Sequence, residues 1–311
     1  MSEFHHVPVL LEECITGLCI KPDGIYVDGT LGGAGHSSRI AASLTTGRLI
    51  GIDRDEIALA AAGKRLAPFA DRVQLVHSNF CQIVSVLDGL GISGVDGILL
   101  DLGVSSPQLD DGSRGFSYMT DAPLDMRMDH SESLNADTVV NTWPYETLKK
   151  ILYEYGEERF APQIASAICK RRELSPIRST LELVEVIRSA MPAPALREKQ
   201  HPAKRSFQAI RIAVNDELNS VAKALEDAIP RLNPGGRLAV ITFHSLEDRI
   251  VKNAFASAAK GCTCPPSFPV CVCGKKPAVK LITRKPIVSG DEELEQNPRA
   301  RSAKLRICEK L

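Results

Sequence analysis

The first hundred residues alternate four times between a short apolar run and a helical pattern. The apolar runs lie at residues 25–30, 49–53, 73–77 and 95–101. Short strands that alternate with helices are typical of a parallel sheet covered on both faces, and right-handed crossovers make such a sheet doubly wound. The sequence therefore predicts an α/β fold.

The alternation stops between about residues 110 and 205. Helical patterns without a comparable strand occupy residues 136–140, 145–154, 161–172 and 180–190. A long amphipathic helix follows at residues 207–229, and strand patterns return at residues 237–243, 279–283 and 303–307. The sequence thus predicts a mostly parallel seven-stranded sheet from residues 1–109 and 206–311. Residues 110–205 are predicted to form an inserted, mainly helical domain.

Composition restricts the protein class. The 38 basic and 38 acidic residues balance, so a polyanion must be bound by a local patch rather than by the overall charge. No apolar run reaches membrane-spanning length, and the acidic N-terminal region lacks the apolar core of a signal peptide. The nine cysteines are an odd number and mostly scattered. These features predict reduced thiols and a cytoplasmic location.

A glycine-rich loop follows the first strand. Residues 26–36 read YVDGTLGGAGH, which predicts a strand, a tight turn and a helix start, the order found in nucleotide-type cofactor sites. Three strands end in carboxylates, at Asp28, Asp53 and Asp101. The ends of parallel strands line the ligand crevice of a doubly wound sheet. Asp53 lies about twenty residues beyond the loop, where an acid binds ribose hydroxyls.

These features suit both NAD and S-adenosylmethionine, and Asp28 favours the second. It stands immediately before the first glycine, where a dinucleotide would place its pyrophosphate, and two like charges repel strongly in a low-dielectric cleft. S-adenosylmethionine has no phosphate and carries an ammonium and a sulfonium group. The loop also departs from the G-x-G-x-x-G spacing.

Seven motifs carry a resemblance to a known family. They are residues 28–37 (DGTLGGAGHS), 101–110 (DLGVSSPQLD), 114–117 (RGFS), 123–129 (PLDMRMD), 155–158 (YGEE), 243–249 (FHSLEDR) and 297–302 (NPRARS). In this order they resemble the bacterial 16S rRNA cytosine-N4 methyltransferases, the family also called MraW, over essentially the whole chain.

The resemblance implies a class I methyltransferase, Rossmann-like fold in which the inserted helical domain recognises the substrate. It also implies that S-adenosylmethionine donates a methyl group to the exocyclic N4 amine of a cytosine in 16S rRNA, at position 1402 of the ribosomal P site. The cofactor contacts implied by the motifs are Ala34, Gly35, His36, Asp53, Phe80, Asp101 and Gln108. Relatives can have glycine in place of Ala34, so a backbone contact there requires a negative φ.

The catalytic candidates are Asp101, Ser105 and Ser106. The amine on cytosine C4 is a poor nucleophile, so catalysis depends on its position and on acceptors for its hydrogen atoms. We expect Asp101 to orient the cofactor or the amine. We expect Ser105 or Ser106 to accept a hydrogen bond from the amine. A helix cap or a turn is an equally good explanation for the two serines.

Two further features stay open at the level of sequence. His244 follows the fifth strand and is explained either as a structural residue or as part of a base pocket with its neighbours. Cys262, Cys264, Cys271 and Cys273 form a C-x-C…C-x-C pattern that could bind zinc, but the spacing is unusual for zinc and the resemblance requires no metal. We therefore expect no metal.

The expected partner is 16S rRNA or the small ribosomal subunit, with no membrane. The unpaired target base must leave its stack to reach the methyl donor. Basic clusters at residues 170–172, 197–199, 204–205 and 299–306 are candidates for phosphate contacts. Amino methylation of DNA or another nucleic acid by the same fold, and a ribosome-assembly or RNA-binding factor without turnover, remain alternatives. The oligomeric state is open, a homodimer being one alternative.

Overall fold

The structure is a computed structural model that describes residues 8–105, 108, 111–261, 264, 270 and 273–311. The chain divides into two compact units, one of residues 1–103 with 218–311 and one of residues 104–217. The sequence predicts these boundaries at residues 110 and 205. No helix in the described ranges is both long and apolar enough to span a membrane.

The first unit is built on one sheet, which in the described part of the chain has seven strands. They are β1 (Ile25–Asp28), β2 (Arg48–Asp53), β3 (Val73–His77), β4 (Val95–Asp101), β5 (Leu232–Thr242), β6 (Val279–Leu281) and β7 (Lys304–Lys310). Their order is β3-β2-β1-β4-β5-β7-β6. The first five are parallel, and β7 runs antiparallel to both β5 and β6. The predicted mostly parallel, seven-stranded sheet is confirmed.

Helices cover both faces of this sheet. They are α1 (Leu11–Leu18), α2 (Gly35–Ser43), α3 (Glu56–Leu66), α4 (Ile83–Gly89), α11 (Glu217–Arg231), α12 (Ser245–Ala259) and α13 (Asp291–Gln296). Successive strand residues alternate between two buried clusters. Tyr26 and Leu99 pack with α1, α2 and α3, whereas Val27 and Ile98 pack with α4, α11 and α12. The sheet is therefore doubly wound, as the continuous apolar runs predicted.

The strand order also fixes where a ligand can bind. The order reverses between β1 and β4, which pair with Val27 opposite Ile98. Ligands of doubly wound sheets bind outside the carboxyl ends of the strands at such a reversal. Asp28 and Asp101 are the last residues of these two strands.

The second unit is mainly helical. Its helices are α5 (Ala136–Thr142), α6 (Tyr145–Glu154), α7 (Ala161–Leu174), α8 (Thr180–Ser189), α9 (Ala193–Leu196) and α10 (Lys204–Asn215). They share a separate apolar core that includes Val140, Leu152, Ile168, Ile187 and Phe207. The helical character predicted for this part of the chain is confirmed.

The prediction of a single long helix at residues 207–229 is wrong. Two helices, α10 and α11, replace it, and they meet at Asp216, whose φ of 48° lies in the left-handed region. The side-chain amide of Asn215 accepts a hydrogen bond from Met128 N at 2.8 Å and donates one to Met126 O at 2.7 Å. This tie to a preceding loop holds the end of α10 inside the second unit.

Candidate functional site

The carboxylate of Asp28 anchors the glycine loop after β1 through hydrogen bonds. This carboxylate is buried and accepts hydrogen bonds from Thr30 N at 3.2 Å and from Ser37 Oγ at 2.6 Å. Burial raises its pKa to about 6, and the hydrogen bonds from Ser37 and Thr30 limit the rise. Asp28 therefore fixes the loop and the first turn of α2 while placing a negative charge under them.

Asp53 joins the loop to the end of β2. Its carboxylate accepts hydrogen bonds from Gly32 N at 2.7 Å and from Asp55 N at 2.9 Å. A carboxylate has about four acceptor positions, so each oxygen retains one for a ligand hydroxyl. Burial raises the pKa of Asp53 to about 6, and the charges of Asp55 and Asp28 contribute. This geometry is compatible with the predicted ribose contact.

Ala34 does not have the negative φ that a backbone contact with a cofactor requires. Its φ is +57°, in the left-handed region where glycine is favoured. Its N–H donates to Leu31 O at 2.7 Å, and its carbonyl accepts from both Ser38 N and Ser38 Oγ. The negative φ that a cofactor contact required is absent, and the backbone groups already bind within the loop. The contact of Ala34 with a cofactor remains a prediction.

The two glycines on either side of Ala34 differ in how closely they are packed. A Cβ on Gly35 would lie 2.2 Å from Cγ of Pro8, so no larger residue fits there. By contrast, a Cβ on Gly33 would meet no atom within 4 Å. The loop is thus closed on the side of Pro8 and open at Gly33, where a ligand could approach the backbone.

His36 is a buried, neutral side chain. Its Nε2 donates to Val9 O at 2.9 Å, which leaves Nδ1 as an acceptor. Burial lowers the pKa of the imidazole to about 4. Nδ1 lies 3.8 Å from Asp101 Oδ2, but the neutral ring forms no ion pair at neutral pH. A cofactor contact by His36 therefore falls to its backbone or to Nδ1.

Asp101 is the most perturbed carboxylate at this edge of the sheet. Burial raises its pKa well above the usual range, and the charges of Asp28 and Glu247 raise it further. Its N–H donates to Thr30 Oγ1 at 2.5 Å. Its Oδ1 is buried with no hydrogen-bond partner among the described residues, while the side chain as a whole remains 20% exposed. A buried carboxylate oxygen without a hydrogen-bond partner destabilises the folded protein. A ligand that supplies a hydrogen-bond donor or a positive charge would offset this destabilisation.

Phe80 reaches the same edge from the chain after β3. Ser78 N donates to Asp53 O at 3.0 Å, and Asn79 caps the short 3₁₀ helix Phe80–Gln82. Cβ of Phe80 lies 3.1 Å from the position that a Cβ on Gly29 would take. The first unit thus brings Gly35, His36, Asp53, Phe80 and Asp101 to one edge of the sheet.

Taken together, these residues fit S-adenosylmethionine better than a phosphate-bearing cofactor. Asp28, Asp53 and Asp101 are three acids with raised pKa values, and each gains if a cation binds nearby. A pyrophosphate would add negative charge to the same low-dielectric region.

His244 acts as a helix cap. Its Nδ1 accepts from Glu247 N at 3.4 Å, and Glu247 Oε2 accepts from Phe243 N at 2.8 Å and from His244 N at 3.3 Å. The two residues form a reciprocal capping box at the start of α12. Of the two explanations that the sequence left open, this geometry supports the structural one.

Of the remaining predicted residues, Ser105 and Gln108 belong to the second unit, Cys264 and Cys273 belong to the first, and the others lie outside the described residues. Ser105 N donates to Gln108 Oε1 at 3.0 Å, and Gln108 N donates to Ser105 O at 3.1 Å, so these two close a local turn. Ser105 Oγ is buried without a partner among the described residues. Ser106, Cys262 and Cys271 lie outside the described residues. The cofactor role of Gln108 and the expectation of no metal stay predictions.

Sequence reasoning missed the residues that support the site. Ser37 Oγ donates to the Asp28 carboxylate, and Thr30 Oγ1 accepts from the backbone N–H of Asp101. Glu293 Oε1 accepts from Leu10 N at 2.7 Å, beside the Val9 carbonyl that holds His36. Ser37 could have been found from its position in the first helical turn after the loop. Glu293 is 283 positions away from Leu10, and no local pattern indicates that contact.

The chain is similar to known proteins over nearly its whole length. The model of the MraW methylase family matches residues 3–311. A ribosomal RNA small subunit methyltransferase H from Brevibacillus brevis is 60% identical over 99% of this chain and 98% of its own length. Its counterpart from Heliobacterium modesticaldum is 58% identical over 99% of both chains. The solved structures include a putative methyltransferase from Streptococcus mutans in complex with SAH, which is 12% identical with a TM-score of 0.43 and covers 98% of this chain and 100% of that one. The chain belongs to the MraW methylase family and is a methyltransferase whose methyl donor is S-adenosylmethionine.

Proposed function

We propose that this protein methylates the exocyclic N4 amine of a cytosine in small-subunit (16S) ribosomal RNA, at position 1402 in the P site. The motifs at residues 28–37, 101–110 and 243–249 support this specificity by their resemblance to the cytosine-N4 enzymes. The names of the curated relatives, which are ribosomal RNA small subunit methyltransferases, support the class of substrate.

The buried, unpartnered carboxylate oxygen of Asp101 is the observation that most directly supports the proposal. An amine substrate needs an acceptor that orients its N–H bonds and takes the proton that leaves on methylation. Asp101 Oδ1 is buried, unpartnered among the described residues and on the strand end beside the glycine loop. Its raised pKa makes it a stronger proton acceptor than an ordinary carboxylate once it is ionised.

The bound donor supplies a methyl group on a positively charged sulfur. In its presence the ionised form of Asp101 is favoured, because an adjacent cation lowers the pKa of a carboxyl group. The N4 amine then has a carboxylate acceptor at Asp101 Oδ1. Methyl transfer moves the positive charge from the sulfur to the N4 nitrogen, which becomes neutral when it releases a proton. With the sulfur uncharged, the pKa of Asp101 rises again. We propose that Asp101 takes this proton.

The other site residues hold the reactants. Asp53 binds the ribose hydroxyls, Phe80 packs against the adenosine, and Gly35 and His36 contact the donor at the start of α2. Ser105 or Ser106 accepts a second hydrogen bond from the amine. Ser105 Oγ has no partner among the described residues and so is free for this role, while Ala34 and Gln108 remain candidates for cofactor contacts.

The substrate is an unstacked cytosine in the small ribosomal subunit. A base within a helix cannot present its amine to a buried carboxylate, so the target must be single-stranded or extruded. The mainly helical second unit is proposed to recognise the rRNA. The reaction takes place in the cytoplasm, where small subunits are assembled.

Methyl transfer from labelled S-adenosylmethionine tests the proposal. Small ribosomal subunits, naked small-subunit rRNA, DNA and protein are compared as acceptors for the purified enzyme. We expect label in the rRNA of the subunits, and no label in rRNA cytosine would overturn the proposal. Label in DNA alone would point to the alternative amino methylation, and no label in any acceptor would point to an assembly factor.

Two carboxylate variants provide the matched comparison. Asp101→Asn should abolish turnover while leaving the protein folded, because the neutral amide is isosteric but accepts no proton. Asp88→Asn changes an exposed carboxylate of the same unit that pairs with Arg231, and surface pairs contribute little. Near-normal turnover by Asp101→Asn would remove Asp101 from the chemistry.

A further inference from the structure

Two aromatic rings from distant parts of the second unit lie parallel to each other. Tyr118 and His201 have ring centroids 4.5 Å apart and an interplanar angle of 13°. Both side chains are half-buried. Offset parallel rings at this distance attract each other beyond the apolar area that they bury.

The pair rests on the core of its unit. The buried ring of Phe207, on α10, meets Tyr118 edge-on at 5.8 Å and 84°. Ala203 N donates to His201 Nδ1 at 3.3 Å, which fixes the ring and places its proton on Nε2. The two rings are therefore held in place before any ligand binds.

His201 is also uncharged at neutral pH. Burial lowers the pKa of its imidazole, and the positive charge of Arg188 lowers it further. The pair is thus a flat, neutral stack similar in chemistry to a stacked base. The residue after Tyr118 in the chain, Met119, is an exposed apolar side chain, with 71% of its surface accessible.

Basic residues lie on both sides of His201 in the chain. Arg188, Arg197, Lys199 and Lys204 are exposed and lie within about fifteen residues of His201. The one acid between Arg188 and Lys204, Glu198, pairs with Arg159 at 2.5 Å. The segment is therefore strongly positive in a protein whose formal charge is zero.

We infer that the Tyr118–His201 pair is a stacking site for an unpaired nucleobase of the rRNA substrate, with the basic residues near it in the chain contacting the phosphates of that strand. Proteins that bind single strands combine these two features, because every base has a stacking face and every nucleotide a negative charge. The inference rests on the proposed function, since it requires an RNA substrate.

Binding of a single-stranded RNA tests the inference. A fluorescein-labelled oligonucleotide with the target cytosine and its flanking nucleotides is titrated with the full-length enzyme at fixed salt. Tyr118→Leu and Tyr118→Phe both keep an apolar side chain against Phe207, but only the second keeps the ring. We expect Tyr118→Leu and His201→Ala to raise the Kd about 10-fold or more, and Tyr118→Phe to bind like the wild type.

Tyr153→Leu is the control, because it removes an exposed tyrosine elsewhere in the same unit and should leave the Kd unchanged. Tm and S-adenosylmethionine binding report folding, and a Tyr118→Leu protein that fails to fold leaves His201→Ala to decide. Wild-type Kd values for both Tyr118→Leu and His201→Ala would overturn the stacking site, as would a wild-type enzyme that does not bind the oligonucleotide. Methyl transfer by the wild-type enzyme to small subunits is measured separately, and its absence overturns the proposed function instead.

Discussion

Binding of S-adenosylmethionine should weaken steeply as the pH falls through 6. The carboxyl groups of Asp28 and Asp53 have pKa values of about 6 in the folded protein because they are buried. A cationic ligand favours their ionised forms, so protonation competes with binding. The pKa of Asp101 is raised well above its usual value, and protonation of this carboxyl group also weakens binding.

The size of the effect follows from these pKa values. At pH 5 only about a tenth of each group is ionised, whereas at pH 7.5 nearly all of it is. If the ligand requires one ionised group, its Kd should rise about 10-fold between these pH values, and if it requires both, about 100-fold. At pH 6, where each group is about half protonated, binding should release about half a proton in the first case and about one proton in the second.

Isothermal titration calorimetry in buffers of different ionisation enthalpy measures both quantities. S-adenosylhomocysteine lacks the sulfonium charge and is the matched ligand, so its Kd should depend less on pH. Circular dichroism shows whether the fold persists at pH 5. A Kd for S-adenosylmethionine that stays within about twofold across this range, with the fold intact, would refute the electrostatic account of the site.

Three further predictions concern stability. The buried imidazole of His36 has a pKa of about 4 in the folded protein, whereas in the unfolded chain it takes up a proton near pH 6.5. The free energy of unfolding should therefore decrease as the pH is lowered from 7.5 to 5. The decrease should be about 2 kcal/mol larger for the wild type than for His36→Gln. Equal pH dependence in urea unfolding would contradict this. His244→Ala should cost about 1 kcal/mol because it removes the cap of α12, and His244→Asn, which can still cap, should cost less; unfolding curves that rank the two variants the other way would disagree. Arg211→Ala should cost about 3 kcal/mol or more, because it leaves the buried Glu217 carboxylate without its two hydrogen bonds of 2.8 Å. A loss below about 1 kcal/mol in the same assay would be inconsistent with the buried pair.

Much of the first unit could be predicted from local sequence. Strands such as Val73–His77 and Val95–Asp101 are short apolar runs between turn residues, and α3 begins at Glu56, directly after its cap Asp55. These elements depend on neighbouring residues alone. The break at Asp216 was missed, because the amphipathic pattern continues through it and the cause is a contact with a loop some 87 residues earlier.

The site was predictable in outline for the same reason. Asp28, Asp53 and Asp101 each end a strand, so topology alone brings them to one edge. The conformation of Ala34 was not predictable, since alanine rarely adopts a positive φ and the loop imposes it. The stack of Tyr118 on His201 joins residues far apart in the chain, and such a contact leaves no local pattern.

Nucleoside mass spectrometry of the methylated rRNA is the most direct test of the proposed function. Small subunits that lack the modification are incubated with the enzyme and labelled S-adenosylmethionine, and the rRNA is digested to nucleosides. The account predicts labelled N4-methylcytidine, absent when Asp101→Asn replaces the wild-type enzyme. Label on a ring carbon, on the ribose or on another base would contradict it.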